Sequence, residues 1–192
     1  MIARNLENWT GAHSGKEALI TIFNHIRDIP YSVLPELNDP HNYKRILEIN
    51  AGSCTPKHLL MAEMYCRLGI DTLLVVYPYR WAEFEELYPP ELWKLAQLMP
   101  PVNHLACKVF INGRYVLVDA TIDLPLGSIG LPVNERWDGE SETLLPVLPT
   151  GEEEIYHPSE AELMPPPDLD DTALTFYRGL NEYFERIRHG QI

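Results

Sequence analysis

Two runs of strand-forming residues, Val102 to Ile111 and Arg114 to Thr121, flank the dipeptide Asn112-Gly113, and this arrangement constrains the fold more than any other feature of the chain. Asn-Gly favours a type I′ turn, whose central residues both take positive φ and whose twist suits two antiparallel strands. A two-residue loop also fixes the register: Ile111 faces Arg114, Lys108 faces Leu117 and Ala106 faces Asp119. Alternate residues return to one face of a strand. His104, Ala106, Lys108 and Phe110 therefore share a face with Tyr115, Leu117, Asp119 and Thr121. The opposite face, Leu105, Cys107, Val109 and Ile111 against Val116, Val118 and Ala120, is almost wholly apolar and is assigned to the core. His104 and Asp119 become diagonal neighbours, about 7–8 Å apart at the backbone and within side-chain reach.

Upstream, Ser14 and Glu17 have capping-box spacing, and Leu19, Ile22, Phe23 and Ile26 recur at helical intervals, which predicts a helix from about Gly15 to Asp28. Asp39-Pro40 opens a shorter helix through Tyr43, Ile46 and Leu47 to about Ile49. Next comes Gly52-Ser53-Cys54-Thr55-Pro56-Lys57-His58, leading into an apolar run that ends at Leu68 and Gly69. This reads as a helix with Ser53 as N-cap, Pro56 in the first turn and Gly69 as a left-handed stop. Cys54 then lies in the first turn, where unsatisfied N–H groups favour a thiolate and Lys57, one turn on, is expected to add positive charge.

Asp71 to Tyr77 reads as a buried central strand closed by Pro78. Trp81 to Leu87 and Glu91 to Met99 read as two short helices parted by Pro89-Pro90. From Leu124 to Pro167 the density of Pro and Gly predicts irregular structure, with a short strand at Leu144 to Leu148 and a stiff spacer at Pro165-Pro166-Pro167. Thr172 to Arg188 carries Ala173, Phe176, Tyr177, Leu180, Tyr183, Phe184 and Ile187 at helical spacing and closes the chain as an amphipathic helix. Helices, a cysteine helix, then antiparallel strands imply one α+β domain over residues 1–192, with N-terminal helices and the cysteine helix packed on the sheet.

Composition narrows the partners. A net charge of −13 argues against nucleic acid and anionic membrane surfaces, which need clustered Lys and Arg. The acidic stretches Glu83 to Glu86, Glu152 to Glu154 and Asp168 to Asp171 are assigned to solvated faces and loops. No apolar run is long enough to span a bilayer, and the N-terminus lacks the pattern of a secretory signal, so a cytoplasmic protein is expected. Three cysteines without framework spacing fit a reducing compartment.

A histidine oriented by a carboxylate is what a thiol nucleophile requires, and Cys54 supplies the thiol. Asp123 is the competing carboxylate, but it lies beyond Thr121 near Pro125 and is placed in a loop. Cys66 and Cys107 are assigned to the core. A zinc set of Cys54, His58, Cys66 and His104 has ligand-like spacing only between Cys54 and His58; no metal or other cofactor is expected. Backbone N–H of Cys54 is one natural oxyanion donor, and the Asn50 side chain is the candidate for a second, its alternative role being a helix C-cap. Tyr79, Trp81 and Trp137 either border the cleft or dock on their own domain.

These same residues carry a resemblance. Gly-Ser-Cys with a following helix that ends Arg-Leu-Gly-Ile-Asp resembles the nucleophile segment of the transglutaminase-like superfamily. Asn-His-Leu-Ala-Cys-Lys-Val-Phe-Ile-Asn-Gly-Arg-Tyr-Val-Leu-Val-Asp-Ala-Thr resembles its histidine and aspartate strands, and Ala-Leu-Ile-Thr-Ile-Phe-Asn-His-Ile-Arg-Asp-Ile-Pro-Tyr its preceding helix and tyrosine. The likeness runs from Lys16 to Asp123 and leaves residues 124–192 outside; Ala106 stands where the family often has an aromatic residue. It implies a papain-like core in which Cys54 is the nucleophile, His104 the general base and acid, and Asp119 its orienter. The implied activity is that of a cysteine-dependent peptidase or amidase acting on a peptide or protein amide. Amine transfer of transglutaminase type and a non-catalytic scaffold are the alternatives, and oligomeric state is left open.

Overall fold

Strands β1 (Thr72–Tyr79), β2 (Val102–Ile111), β3 (Arg114–Val118) and β4 (Glu154–Tyr156) form one antiparallel sheet in the spatial order β3-β2-β1-β4. The computed structural model describes residues 1–164 and 169–191. The Pro165-Pro166-Pro167 spacer and Asp168 lie outside the described residues. The hairpin has the register that its turn demands, with Ile111 opposite Arg114 and Lys108 opposite Leu117. Asn112 and Gly113 both sit at positive φ, 51° and 84°, as a type I′ turn requires.

Helices α1 (Ile2–Thr10), α2 (Gly15–Arg27), α3 (Ile46–Ile49) and α4 (Cys54–Arg67) precede the sheet, with α5 (Pro90–Ala96) between β1 and β2 and α6 (Asp171–Arg188) after it. The molecule is thus a mixed α+β fold. Helix α4 packs across β1 and β2 and takes α2 on its outer side. Ile22, Phe23 and Ile26 of α2 meet Leu60, Met61 and Met64 of α4, which press on Leu74, Cys107, Val109, Val116 and Val118 of the sheet. Each such side chain contributes about 1.5–3 kcal/mol of apolar burial, which is what holds α4 in place. A second core forms where Phe176, Leu180 and Phe184 of α6 cover Tyr31, Tyr79 and Trp81. Among the described residues, no helix is long and apolar enough to cross a membrane.

Several local expectations are corrected. Ser14 and Ser53 stand at N-cap positions but make no side-chain capping bond; the Ser53 hydroxyl donates instead to Asn38 Oδ1 at 2.9 Å. Strand β1 continues through Pro78, which can sit opposite Asn103 while its carbonyl accepts the Thr150 N–H at 2.8 Å. No strand forms at Leu144 to Leu148, because the Asn134 side chain takes both the N–H and the carbonyl of Leu144, each at 2.8 Å, and Pro146 lacks a donor. The fourth strand is Glu154–Tyr156 instead. Helix α1 has no counterpart in the sequence reading; its Leu6 and Trp9 pack against the first core.

Candidate active site

The segment that delivers Cys54 is stitched to Pro30-Tyr31-Ser32: Gly52 N–H donates to the Pro30 carbonyl at 3.1 Å, and Ser32 N–H to the Gly52 carbonyl at 3.2 Å. Glycine permits this close approach: a Cβ on Gly52 would lie 2.6 Å from Ile46 Cδ1 and 3.0 Å from Pro56 Cγ, so a larger residue would have to displace them. Cys54 is the first residue of α4 and is 6% exposed. Strand β2 carries His104 against this helix mouth. Strand β3 ends at Val118, so Asp119 leaves the ladder at the open end of the hairpin, its N–H donating to Thr143 Oγ1 at 2.7 Å.

His104 Nε2 and Asp119 Oδ2 are 2.6 Å apart, and Asp119 Oδ1 accepts the Thr121 N–H at 2.9 Å. That leaves Nδ1 of His104 free of Asp119, and Cys54 and His104 line the same cleft, while the Cys54 sulfur lies 4.0 Å from Thr55 Oγ1. The structure therefore brings Cys54, His104 and Asp119 together, all buried. Burial alone would push the Cys54 thiol up, but the charge and hydrogen bond of His104 and the Leu105 N–H outweigh it and hold the thiol below its ordinary range. Burial works against an imidazolium at His104, yet the Asp119 carboxylate and the Cys54 sulfur raise it to about 10. Despite its own burial, Asp119 is held low by His104. An imidazolium beside a thiolate is the state this arrangement favours.

Asp123 has a different place. Its carboxylate accepts the Tyr31 N–H at 2.7 Å and is held by Arg188 of α6. Lys57 corrects the sequence expectation: it is fully buried and turns away from the sulfur, its Nζ donating to the carbonyls of Arg27 (3.1 Å), Ala120 (3.4 Å) and Thr121 (2.7 Å). That burial lowers its ammonium to about 7. Asn50 is an exposed left-handed C-cap of α3 and does not line the cleft at Cys54. Cys66 is exposed, contrary to its assignment to the core, whereas Cys107 is buried. Trp137 docks in the first core against Phe23, its Nε1 donating to the Ser141 carbonyl at 2.8 Å.

The sequence reading gave His58 no part here except as a zinc ligand. It is fully buried, with Nδ1 2.9 Å from the Cys54 carbonyl and Nε2 accepting the Ala120 N–H at 3.0 Å, so both ring nitrogens are committed to backbone. The available signal was its position one turn after Cys54 on the same helix face. Among the described residues, no group of three or more His, Cys, Asp or Glu is placed to hold a metal.

A cleft of about 600 Å³ opens beside Cys54 and His104. Tyr31, Tyr79, Trp81 and Tyr177 give it an aromatic wall, and Asn38, Thr55 and Asn103 polar positions. Ala161, Glu162, Met164 and Tyr177, all beyond Asp123 in the chain, also line it. Such a space admits a ligand of several residues or a small molecule.

No protein-family model matches the chain, and no curated protein matches it. Among solved structures, it is similar to a candidate cysteine protease from Cytophaga hutchinsonii, at 18% identity and a TM-score of 0.45, over 66% of this chain and 38% of that one. The chain thus spans well under half the length of that protein.

Proposed function

We propose that the chain is a cysteine-dependent amide hydrolase, a peptidase or amidase of transglutaminase-like, papain-like type. One observation carries this reading: a buried imidazole held by a buried carboxylate shares the lining of an open cleft with a thiol at a helix N-terminus. The thiolate of Cys54 attacks the amide carbonyl carbon, and the N–H groups of the first helical turn, which lack intrahelical partners, receive the developing oxyanion. His104 gives its proton to the amine as the C–N bond breaks, leaving a thioester on Cys54. It then takes a proton from water, whose oxygen attacks the thioester and releases the acid and the thiol. Asp119 holds the ring so that Nδ1 stays on the sulfur side and stabilises the cation.

The test is mass spectrometry of the intact chain after incubation with peptide amides and activated esters. An acyl adduct on Cys54 that is lost in His104→Ala supports the reading. Discharge to an added primary amine in preference to water would move the assignment to acyl transfer, and no adduct with any acyl donor would leave a scaffold.

A further inference from the structure

We infer that His58 is a positioning residue that ties the nucleophile to the aspartate of the same site. The inference rests on the thiol-hydrolase reading above. The Nδ1–H of His58 donates to the carbonyl of Cys54 itself, and Nε2 accepts the N–H of Ala120, the residue after Asp119. One rigid ring therefore spans from the mouth of α4 to the segment that aims the carboxylate at His104. Both polar ends are used and the ring is fully buried, so neither can be exchanged for water.

Which nitrogen bears the proton follows from the partners. A carbonyl can only accept and an amide N–H can only donate, so His58 is the neutral Nδ1–H tautomer. Its neutrality matters to Asp119. His58 Nε2 lies 4.0 Å from Asp119 Oδ1, and its ring meets that of His104 edge-on with centroids 6.2 Å apart. A proton on Nε2 would break the Ala120 bond and place a second cation beside the carboxylate that serves His104. The charged and titratable groups around the ring are Asp119, His104 and the neighbouring Lys57, while Cys107 Sγ sits against the His58 carbonyl at 3.5 Å. Burial keeps the imidazole neutral down to about pH 4.

Two side chains separate the two halves of this bridge. In His58→Asn the amide nitrogen falls near the place of Nδ1 and keeps the Cys54 bond; in His58→Gln the amide oxygen reaches the place of Nε2 and keeps the Ala120 bond. The readout is the rate of Cys54 alkylation by iodoacetamide against pH, with circular dichroism as the check on folding. Wild type should react well below the range of an ordinary thiol. His58→Leu should lose at least tenfold in rate at pH 6, with its midpoint moved toward about 8.5, and His58→Gln should recover part of the loss. A folded His58→Leu with the wild-type profile overturns the inference, whereas an ordinary profile in wild type overturns the hydrolase reading instead. Should His58→Leu not fold, nitrogen-15 spectra of the wild-type ring decide: Nε2 is expected bare from pH 8 to pH 5, and a bare Nδ1 or a midpoint near 6.5 overturns the inference.

Discussion

Arg188, in the last turn of α6, grips Asp123 with two parallel bonds, Nε to Oδ2 and Nη2 to Oδ1, both 2.8 Å. The same Nη2 donates to the Tyr31 carbonyl at 2.8 Å, while Asp123 Oδ1 accepts the Tyr31 N–H at 2.7 Å. Fork and carboxylate together hold Tyr31, whose neighbour Pro30 accepts from Gly52 two residues before Cys54. Breaking one partner of such a largely buried pair costs about 3–5 kcal/mol, because the other is left without a counter-charge. Arg188→Ala is expected to lower the urea midpoint accordingly, and Asp123→Ala by a similar amount. An effect under about 1 kcal/mol would show that the pair is solvated.

Cys54 should be the fast thiol at pH 6, although Cys66 is the more exposed. Burial and the nearby Asp71 and Glu63 push the Cys66 thiol up, and burial does the same for Cys107, whereas Cys54 is drawn down by His104. Peptide mapping after brief iodoacetamide treatment checks this. Equal labelling of Cys66 would mean that exposure, not activation, controls reactivity. His104→Ala should slow Cys54 by about 10²-fold or more while leaving Cys66 unchanged.

The two buried histidines should act on stability with opposite signs. His58 has a folded value near 4 against about 6.5 unfolded, so the unfolded chain binds more protons between those pH values and stability rises with pH across that window. Its full effect is on the order of 3 kcal/mol, already lost below pH 4. His104 is raised to about 10, so its contribution is complete below about 6.5 and fades as pH climbs through 10. Urea midpoints should therefore rise from pH 4 to 6.5, and His58→Gln should flatten that limb; above pH 7 the fading His104 term is opposed by Lys57 and Cys54, whose folded values lie below their unfolded ones. A wild-type midpoint unchanged between pH 4 and 6.5 would contradict a neutral His58.

Gly52→Ala should cost about 1–3 kcal/mol, since the new methyl meets Ile46 Cδ1 at 2.6 Å. Adding Ile46→Val removes that atom and should return part of the loss. It cannot return all of it, because Pro56 Cγ stands 3.0 Å from the same position. Additive destabilisation in the double variant would show that the clash lies elsewhere.

How much of this was legible depends on how local each cause is. The hairpin register follows from two residues with positive φ, and it carries His104 and Asp119 to one end of the sheet without any knowledge of the remainder. Lys57 was misread because helix position gives only distance along an axis: its side chain lies toward the Arg27 and Thr121 carbonyls, which are supplied by distant segments. The bridging place of His58 escapes a reading of helix position for the same reason, since its acceptor role needs Ala120. The Leu144 to Leu148 run has strand-like residues, but whether it joins the sheet was decided by Asn134, whose amide satisfies Leu144 instead. Asp123 was rightly placed beyond the strand, yet its partner Arg188 lies on α6, where sequence spacing gave no hint of it.

The two-residue turn at Asn112-Gly113 also orders events in time. His104 and Asp119 are only fifteen residues apart, joined by a turn that closes on the scale of about 1–10 μs. Such a hairpin alone is marginal in water and persists only once its apolar face is covered, which here is the work of α4. Cys54 rides on that helix. Its sulfur shares the cleft with the imidazole only when that helix is docked on the sheet. A chain still folding, or one that has opened, therefore carries three ordinary thiols, and the lowering of the Cys54 thiol by His104 exists only as a property of the finished molecule.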